Sequence, residues 1–574
     1  MKTFTFKIGG EAGFGIMSSG LMFAKVATRS GYHTFDYSEY PSIIRGGHNV
    51  MQVSISDNPV AAAFISTDFL VALNQETIDL HWNELGKNSM LLFDGEKCKT
   101  EKVSEGVDLF NVPLNKLAQE VGGSLLLRNT VALGATLALL GGDLKILKGL
   151  LAEEFKRKGE EVIKNNQNVC EAGYNYVMEN FKEKTKDVLK VAPMANRGPA
   201  AAGKNKIVVT GNEAVALGAV AAGMQFAAIY PMTPITGILH TLAALQAKFD
   251  FIYKQPEDEL AAINMAIGAS FAGARAMTAT AGGGFCLMTE GYGLAGIAEV
   301  PLVIIEGMRG SPATGMPTWT EQGDLRFVLH AHQGEFPKII LAAGDVNEAF
   351  HLTMKAFNLA DKYQTPVVVM VDKNLCESHT SIQPFDYKNY EVDRGKLITK
   401  KEENHQQYLL SKDGVSSRSI LGVGNLVKAN SDEHDKEGYS SEEGANRMEQ
   451  MEKRMQKLKT CAEKDMDEPE IFGSKDADLT IVSWGSNKGA ILEALKNFNN
   501  VNYLHLTWVS PFPTDFVKKV LSKAKKILNV ECNYSAQMGG LIKERTGIEI
   551  TENLLKYDGR PFFPEELTEK FLKI

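Results

Sequence analysis

Hydrophobic and polar residues alternate from Thr3 to Ile8, the period of a strand with one covered face. A glycine cluster follows, Gly9-Gly10-Glu11-Ala12-Gly13-Phe14-Gly15, and the pattern then changes to a helical one over Ile16–Ser30. Strand-like runs return at Phe69–Leu73 and Ser89–Phe93, so residues 1–185 read as an α/β domain. Residues 186–206 hold Pro193, Gly198, Pro199 and Gly203 with little periodicity, which marks a linker. Residues 207–385 show the clearest alternation. Strands are expected at Ile207–Thr210, Phe226–Tyr230, Ala276–Thr280, Leu302–Glu306, Ile339–Ala342 and Val367–Val371, with helices such as Glu213–Met224 and Glu259–Ala272 between them. Such alternation builds a parallel sheet covered on both faces, with ligands at the carboxyl ends of its strands. Residues 386–475 form a polar insert. Within it Met448, Met451, Met455 and Leu458 recur at heptad-like spacing, and we expect this stripe to be the packed face of an amphipathic helix, with partner binding as the alternative. Residues 476–574 return to α/β, with strands at Leu479–Trp484, Tyr503–Leu506 and Lys526–Glu531.

Composition narrows the function. The 574 residues are 44% hydrophobic and 23% charged, ordinary for a globular multi-domain chain. Lys and Arg number 62 against 70 Asp and Glu, a net charge of -8. That balance argues against general nucleic-acid binding, which needs a basic surface. The six cysteines include no C-x-x-C pair, so a local zinc or iron–sulfur motif is absent and a reduced cytoplasmic setting is expected. The amino-terminal residues lack a signal-peptide core. The most apolar stretch, Ser124 to Gly142, is interrupted by Arg128 and Asn129, so no membrane span is expected.

Five clusters could carry chemistry. Gly13-Phe14-Gly15-Ile16-Met17-Ser18 approximates a dinucleotide loop, with Asp36 at the distance of a ribose-binding acid. A structural turn or another anionic ligand explains the same residues. Arg45-Gly46-Gly47-His48-Asn49 places a cation beside two glycines, as suits a phosphate, an interface or a surface turn. Tyr230-Pro231-Met232-Thr233-Pro234 fixes the backbone around one threonine at a strand end. Gln255-Pro256-Glu257-Asp258-Glu259 opens an apolar helix. Acids there complement the helix dipole, and the deepest, Glu259, could share a proton with a ring nitrogen. Finally, the apolar run from Pro301 emerges at Arg309 and a Gly/Pro/Thr-rich loop, Gly310 to Asp324. A guanidinium at a strand end can hold a carboxylate or pair with a neighbouring acid.

Read in order, Tyr-Pro-Met-Thr-Pro, Glu-Asp-Glu-Leu-Ala-Ala-Ile-Asn, Thr-Ala-Thr-Ala-Gly-Gly-Gly-Phe and Met-Arg-Gly-Ser-Pro-Ala-Thr-Gly-Met-Pro-Thr resemble the α subunit of 2-oxoacid:ferredoxin oxidoreductases. The likeness is to the 2-oxoglutarate branch, with a γ domain fused amino-terminally, and covers nearly the whole chain. It implies a γ-type α/β domain, a pyrimidine-binding domain of the thiamine-diphosphate-enzyme fold, and a transketolase C-terminal-like domain. The implied reaction joins a 2-oxoacid, coenzyme A and oxidised ferredoxin to give acyl-CoA, CO2 and reduced ferredoxin. By the same resemblance Glu259 contacts the aminopyrimidine N1′ of thiamine diphosphate, Pro231 lies near that ring, and Thr233 and Arg309 bind the substrate carboxylate. Arg326, His330 and His332 are candidates for a second substrate carboxylate, with surface helix positions for these residues and a cation from a β subunit as the alternatives. The sequence contains no Gly-Asp-Gly motif and no cysteine set for a 4Fe-4S cluster. The family pattern places Mg2+, the diphosphate grip and the cluster on a separate β subunit. Pyruvate or a branched-chain 2-oxoacid as substrate, and a non-catalytic scaffold, are the competing readings.

Overall fold

The protein is described by a computed structural model over residues 3–43, 46–190 and 206–574. The described chain divides into two compact units. One is Met1–Val209 with Ser378–Pro384 and Phe563–Glu569; the other is Thr210–Glu377, Phe385–Phe562 and Lys570–Ile574.

The first unit is built on an eight-stranded sheet. Its strands run in the order Asp108–Asn111, Leu85–Phe93, Thr67–Ala72, Phe4–Glu11, His48–Ser56, His33–Glu39, Thr380–Ile382 and Ile207–Val209. The first four are mutually parallel and the rest pair antiparallel. The strand expected at 207–210 therefore forms, but in this sheet and not in the parallel sheet that follows it in sequence. A three-residue apolar run carries no information about its partner; here it pairs with Thr380–Ile382, a segment far along the chain. It stops at Val209 because Thr210 caps the next helix: its hydroxyl accepts from Glu213 N, and the Glu213 carboxylate accepts from Thr210 N at 2.9 Å.

The second unit holds a seven-stranded sheet in the order Trp508–Ser510, Ile339–Ala342, Pro366–Asp372, Leu302–Met308, Ala276–Ala281, Phe226–Ala228 and Ile252–Lys254. All neighbours are parallel except Trp508–Ser510. Every residue of Leu302–Met308 and Pro366–Asp372 is buried, the condition of a central parallel strand covered on both faces. A five-stranded sheet, Glu470–Gly473, Val501–Leu506, Leu479–Trp484, Ile527–Glu531 and Glu552–Leu555, completes the unit. Among the described residues no helix is long and apolar enough to cross a membrane.

The polar insert contains the expected helix, Gly444–Lys464, but the stripe is not its most buried face. Met448 is 65% exposed and Met451, Met455 and Leu458 are half-buried, whereas Gln450, Lys453, Arg454 and Lys457 are buried. The reason is electrostatic. Glu299, buried at the end of another helix, receives Lys453 Nζ on one carboxylate oxygen and Lys457 Nζ on the other, each at 2.6 Å. Arg454 holds both oxygens of Glu433, at 2.8 and 2.6 Å. Ion pairs and backbone acceptors, Gln364 O among them, thus decide which face turns inward. The two ammonium groups hold the Glu299 carboxyl down to about 2. Burial, with two cations sharing one anion, pulls Lys457 down to about 8.

Removing Glu299 would leave two buried cations without their anion. E299Q is expected to destabilise the protein by about 3–5 kcal/mol, read by denaturant or thermal unfolding, and K453M/K457M in the same background should recover much of the loss. The folded Glu299 pKa lies below its ordinary 4.5, so its contribution is complete above that pH and disappears as pH falls toward about 2. An E299Q variant as stable as wild type near neutral pH would contradict this.

Candidate active site

The carboxyl ends of neighbouring strands in the second unit collect the residues singled out above. Phe226–Ala228 leads into Pro231 and Thr233, Ile252–Lys254 leads into Glu259, Ala276–Ala281 leads into Gly282-Gly283-Gly284, and Leu302–Met308 leads into Arg309. This is the ligand-binding edge of a parallel sheet.

The three acids before the Glu259–Phe271 helix take separate roles. Glu257 is exposed. Asp258 is the helix cap, its carboxylate accepting from Ala261 N at 2.7 Å. Glu259 is 4% exposed, and its Oε1 is buried without a hydrogen-bonding partner. A buried carboxylate oxygen without a donor is costly unless a partner arrives. The carboxylate rests on the first turn of the Gly282–Ile297 helix. A Cβ at Gly284 would lie 2.7 Å from Glu259 Oε1 and 2.1 Å from Thr280 Oγ1, so only glycine lets the acid pack there.

Arg309 and Thr233 are brought together, through a different atom than the sequence suggests. Arg309 Nη1 donates to the backbone carbonyl of Thr233 at 2.8 Å, which leaves the threonine hydroxyl out of that contact. Burial lowers the Arg309 pKa, and Asp324 opposes the shift. Pro231 is half-buried two residues before Thr233. The following turn is held by Asn212, which donates to Pro234 O at 2.8 Å.

The loop Gly310 to Asp324 is folded on itself and anchored at its far end. Gly310 N donates to Trp319 O at 3.0 Å. Gln322, 1% exposed, donates to Trp484 O at 2.9 Å, and its Oε1 accepts from Asn487 Nδ2 at 2.8 Å and Cys532 N at 2.9 Å. A three-bond buried amide fixes its rotamer, so the carboxyl-terminal α/β block sets where the loop ends.

Two acids of this site escaped the sequence reading. Glu306 has no exposed surface, and Asp324 is 9% exposed. A Cβ at Gly282 would meet Asp324 Oδ2 at 2.5 Å, so the first turn of one helix carries Glu259 against Gly284 and Asp324 against Gly282. The signal for Glu306 was its place at the end of an apolar run: a charged residue inside a continuous buried strand needs an explanation.

The remaining candidates lie elsewhere. Arg326 Nη1 is committed to Glu544 at 2.7 Å, His330 is exposed at a helix end, and His332 lines a cavity of about 610 Å³ with Asn264, Glu290 and Arg447. In the first unit Gly13 and Gly15 have φ of 96° and 72°, so the turn requires glycine at both; Gly15 begins the Ile16–Arg29 helix, and a Cβ there would meet Asn129 Nδ2 at 2.5 Å. Asp36 is buried on an antiparallel strand and accepts from His379 N at 2.8 Å, so it is a structural acceptor and not a ribose-binding acid. Arg45 lies outside the described residues. Among the described residues, no group of three or more His, Cys, Asp or Glu side chains is arranged to hold a metal ion.

Comparison with known proteins places this geometry. A family model described as pyruvate flavodoxin/ferredoxin oxidoreductase, thiamine diphosphate-binding, matches residues 217–454 and so spans Pro231, Thr233, Glu259 and Arg309. A second, pyruvate ferredoxin/flavodoxin oxidoreductase, matches residues 5–176. The 2-oxoacid:ferredoxin oxidoreductase subunit alpha of Saccharolobus solfataricus is 34% identical over 98% of this chain and 96% of its own length. The 2-oxoglutarate synthase subunit KorA of Methanothermobacter thermautotrophicus is 33% identical over 64% of this chain and 98% of its own. The solved 2-oxoglutarate:ferredoxin oxidoreductase from Magnetococcus marinus, with 2-oxoglutarate, coenzyme A and succinyl-CoA bound, superposes with a TM-score of 0.92 at 29% identity, covering 100% of this chain and 99% of that one. The chain belongs to the 2-oxoacid:ferredoxin oxidoreductase subunit alpha family.

Proposed function

We propose that this chain acts on 2-oxoglutarate, as the α subunit of a cytoplasmic enzyme that combines it with coenzyme A to give succinyl-CoA, CO2 and reduced ferredoxin. The observation that carries the reading is the enclosed, donorless Glu259 oxygen at the edge of the parallel sheet, within the segment matched by a thiamine diphosphate-binding family model. The Magnetococcus marinus structure, similar along its whole length, supports 2-oxoglutarate.

Thiamine diphosphate, when bound, supplies the carbon acid that adds to the keto group and accepts the electrons left by decarboxylation. This chain contributes positioning and proton handling. Glu259 would share a proton with the aminopyrimidine N1′, accepting from it once N1′ is protonated and so favouring the imino tautomer, which requires a carboxyl group shielded from water. Pro231 borders the ring. Arg309, already oriented by Thr233 O, keeps guanidinium N–H groups for the substrate carboxylate, and Thr233 completes that contact. A β subunit brings Mg2+, the diphosphate grip and a 4Fe-4S cluster, and ferredoxin takes the electrons. Gly13, Gly15 and Arg45 serve as an anion or interface loop in a γ-type domain over 1–185. Residues 186–206 link it to a pyrimidine-binding domain over 207–385, with the insert at 386–475 and a transketolase C-terminal-like domain over 476–574.

Three outcomes test this. The chain alone should not reduce viologen with 2-oxoglutarate and coenzyme A, whereas the complex with its β subunit should; robust turnover by the isolated chain refutes the divided site. In the complex, E259Q should lower kcat by about 10²–10⁴-fold with the fold unchanged by circular dichroism. R309K, which loses the planar fork, should raise KM for the 2-oxoacid by roughly tenfold to hundredfold. Comparison of 2-oxoglutarate, pyruvate and branched-chain 2-oxoacids at saturating coenzyme A decides the substrate.

A further inference from the structure

Glu306 lies near the carboxyl end of the otherwise apolar buried strand Leu302–Met308, and both its carboxylate oxygens are enclosed without a donor. The ionisable groups facing it are Asp324 from the loop, Asp372 from the neighbouring strand, Cys286 from the Gly282–Ile297 helix and Cys376 from the Lys373–Glu377 helix. None is a cation. A charge there would be stranded in low dielectric among other acids, and burial and Asp324 both push the group's pKa well above the usual carboxylate range.

Of the two carboxylates facing Glu306, one is open to accept a proton from it. Asp372 is already supplied by Leu375 N at 3.0 Å and Ser486 N at 3.2 Å. Asp324 faces Glu306 on one side and Arg309 on another, with Glu321 and Cys286 as its other ionisable neighbours. Arg309 attracts Asp324, yet among the described residues no carboxylate closes on that guanidinium to ion-pair distance. Left to itself, a buried aspartate beside an arginine would collapse onto it and compete with any incoming carboxylate.

We propose that Glu306 is a positioning residue: as a neutral acid it donates its proton to the Asp324 carboxylate and holds it back from Arg309, so the guanidinium stays open to the substrate carboxylate. The two acids act as one unit with a single shared proton. This inference rests on the reading of Arg309 as the substrate's ligand.

The complex with the β subunit provides the test. E306L removes the donor and should raise KM for the 2-oxoacid by about tenfold or more, with a smaller change in kcat. E306L/D324N, which also removes the competing charge, should bring KM back toward wild type, and so should E306Q, which keeps an N–H donor. An E306L variant with unchanged KM, or a double variant no better than E306L, overturns the proposal. A second measurement needs no turnover: the infrared difference spectrum between wild type and E306Q at neutral pH should contain the carbonyl band of a protonated buried carboxyl. Its absence overturns the proposal even if E306L does not fold. Wild-type activity in the same assay separates the two readings. If wild type turns over no 2-oxoacid, the function fails first; if it does and the Glu306 variants leave KM alone, only this inference fails.

Discussion

Two buried carboxylates meet one glycine-rich helix start, and the candidate site depends on that contact. Glu259 lies against Gly284 and Asp324 against Gly282, and in each case an added methyl would occupy the carboxylate's position. The helix therefore begins with three glycines despite their poor helix propensity. What the first turn loses in intrinsic stability it returns as space, letting acids from two different segments approach one backbone closely. The parallel sheet beneath fixes the segments, since Glu259, Gly282 and Arg309 each follow the carboxyl end of one of its strands.

Charge buried in this protein has two different fates. At Glu299 the acid is matched by two lysines, stays ionised and fastens the Gly444–Lys464 helix. At Glu306 the acid faces other acids and has no cation, so burial and those neighbours push its pKa well above the usual carboxylate range. The first arrangement is strong because breaking it leaves uncompensated charge in a dry interior. The second suits a site, where a protonated acid can donate a hydrogen bond that a carboxylate cannot. Burial penalises the charged form in both cases, and only the identity of the neighbours separates them.

The separation of scaffold and chemistry follows the sheet. Gln322, two residues before Asp324, is held by Trp484, Asn487 and Cys532 of the carboxyl-terminal block, far along the chain from the strand that delivers Arg309, and these partners set where the loop ends. Residues that hold the site in shape thus come from segments that carry none of its reactive groups, as precise positioning requires.

The sequence by itself determined the alternation of strands and helices, the parallel sheet of the second unit, and the identity of Thr233, Glu259 and Arg309 as residues at strand ends. These were legible because a strand buried on both faces must be continuously apolar, and because prolines, glycines and lone charges interrupt that pattern where the chain emerges. Tertiary structure alone decided the rest. Ile207–Val209 joined the other sheet because a short strand's pairing is a long-range matter. The most buried face of the Gly444–Lys464 helix carries lysines whose partner, Glu299, is remote in sequence, and the methionine stripe lies only partly buried beside it. That Asp258 is the helix cap, and that Glu306 faces Asp324, depend on distances between atoms, and periodicity along one segment does not encode them.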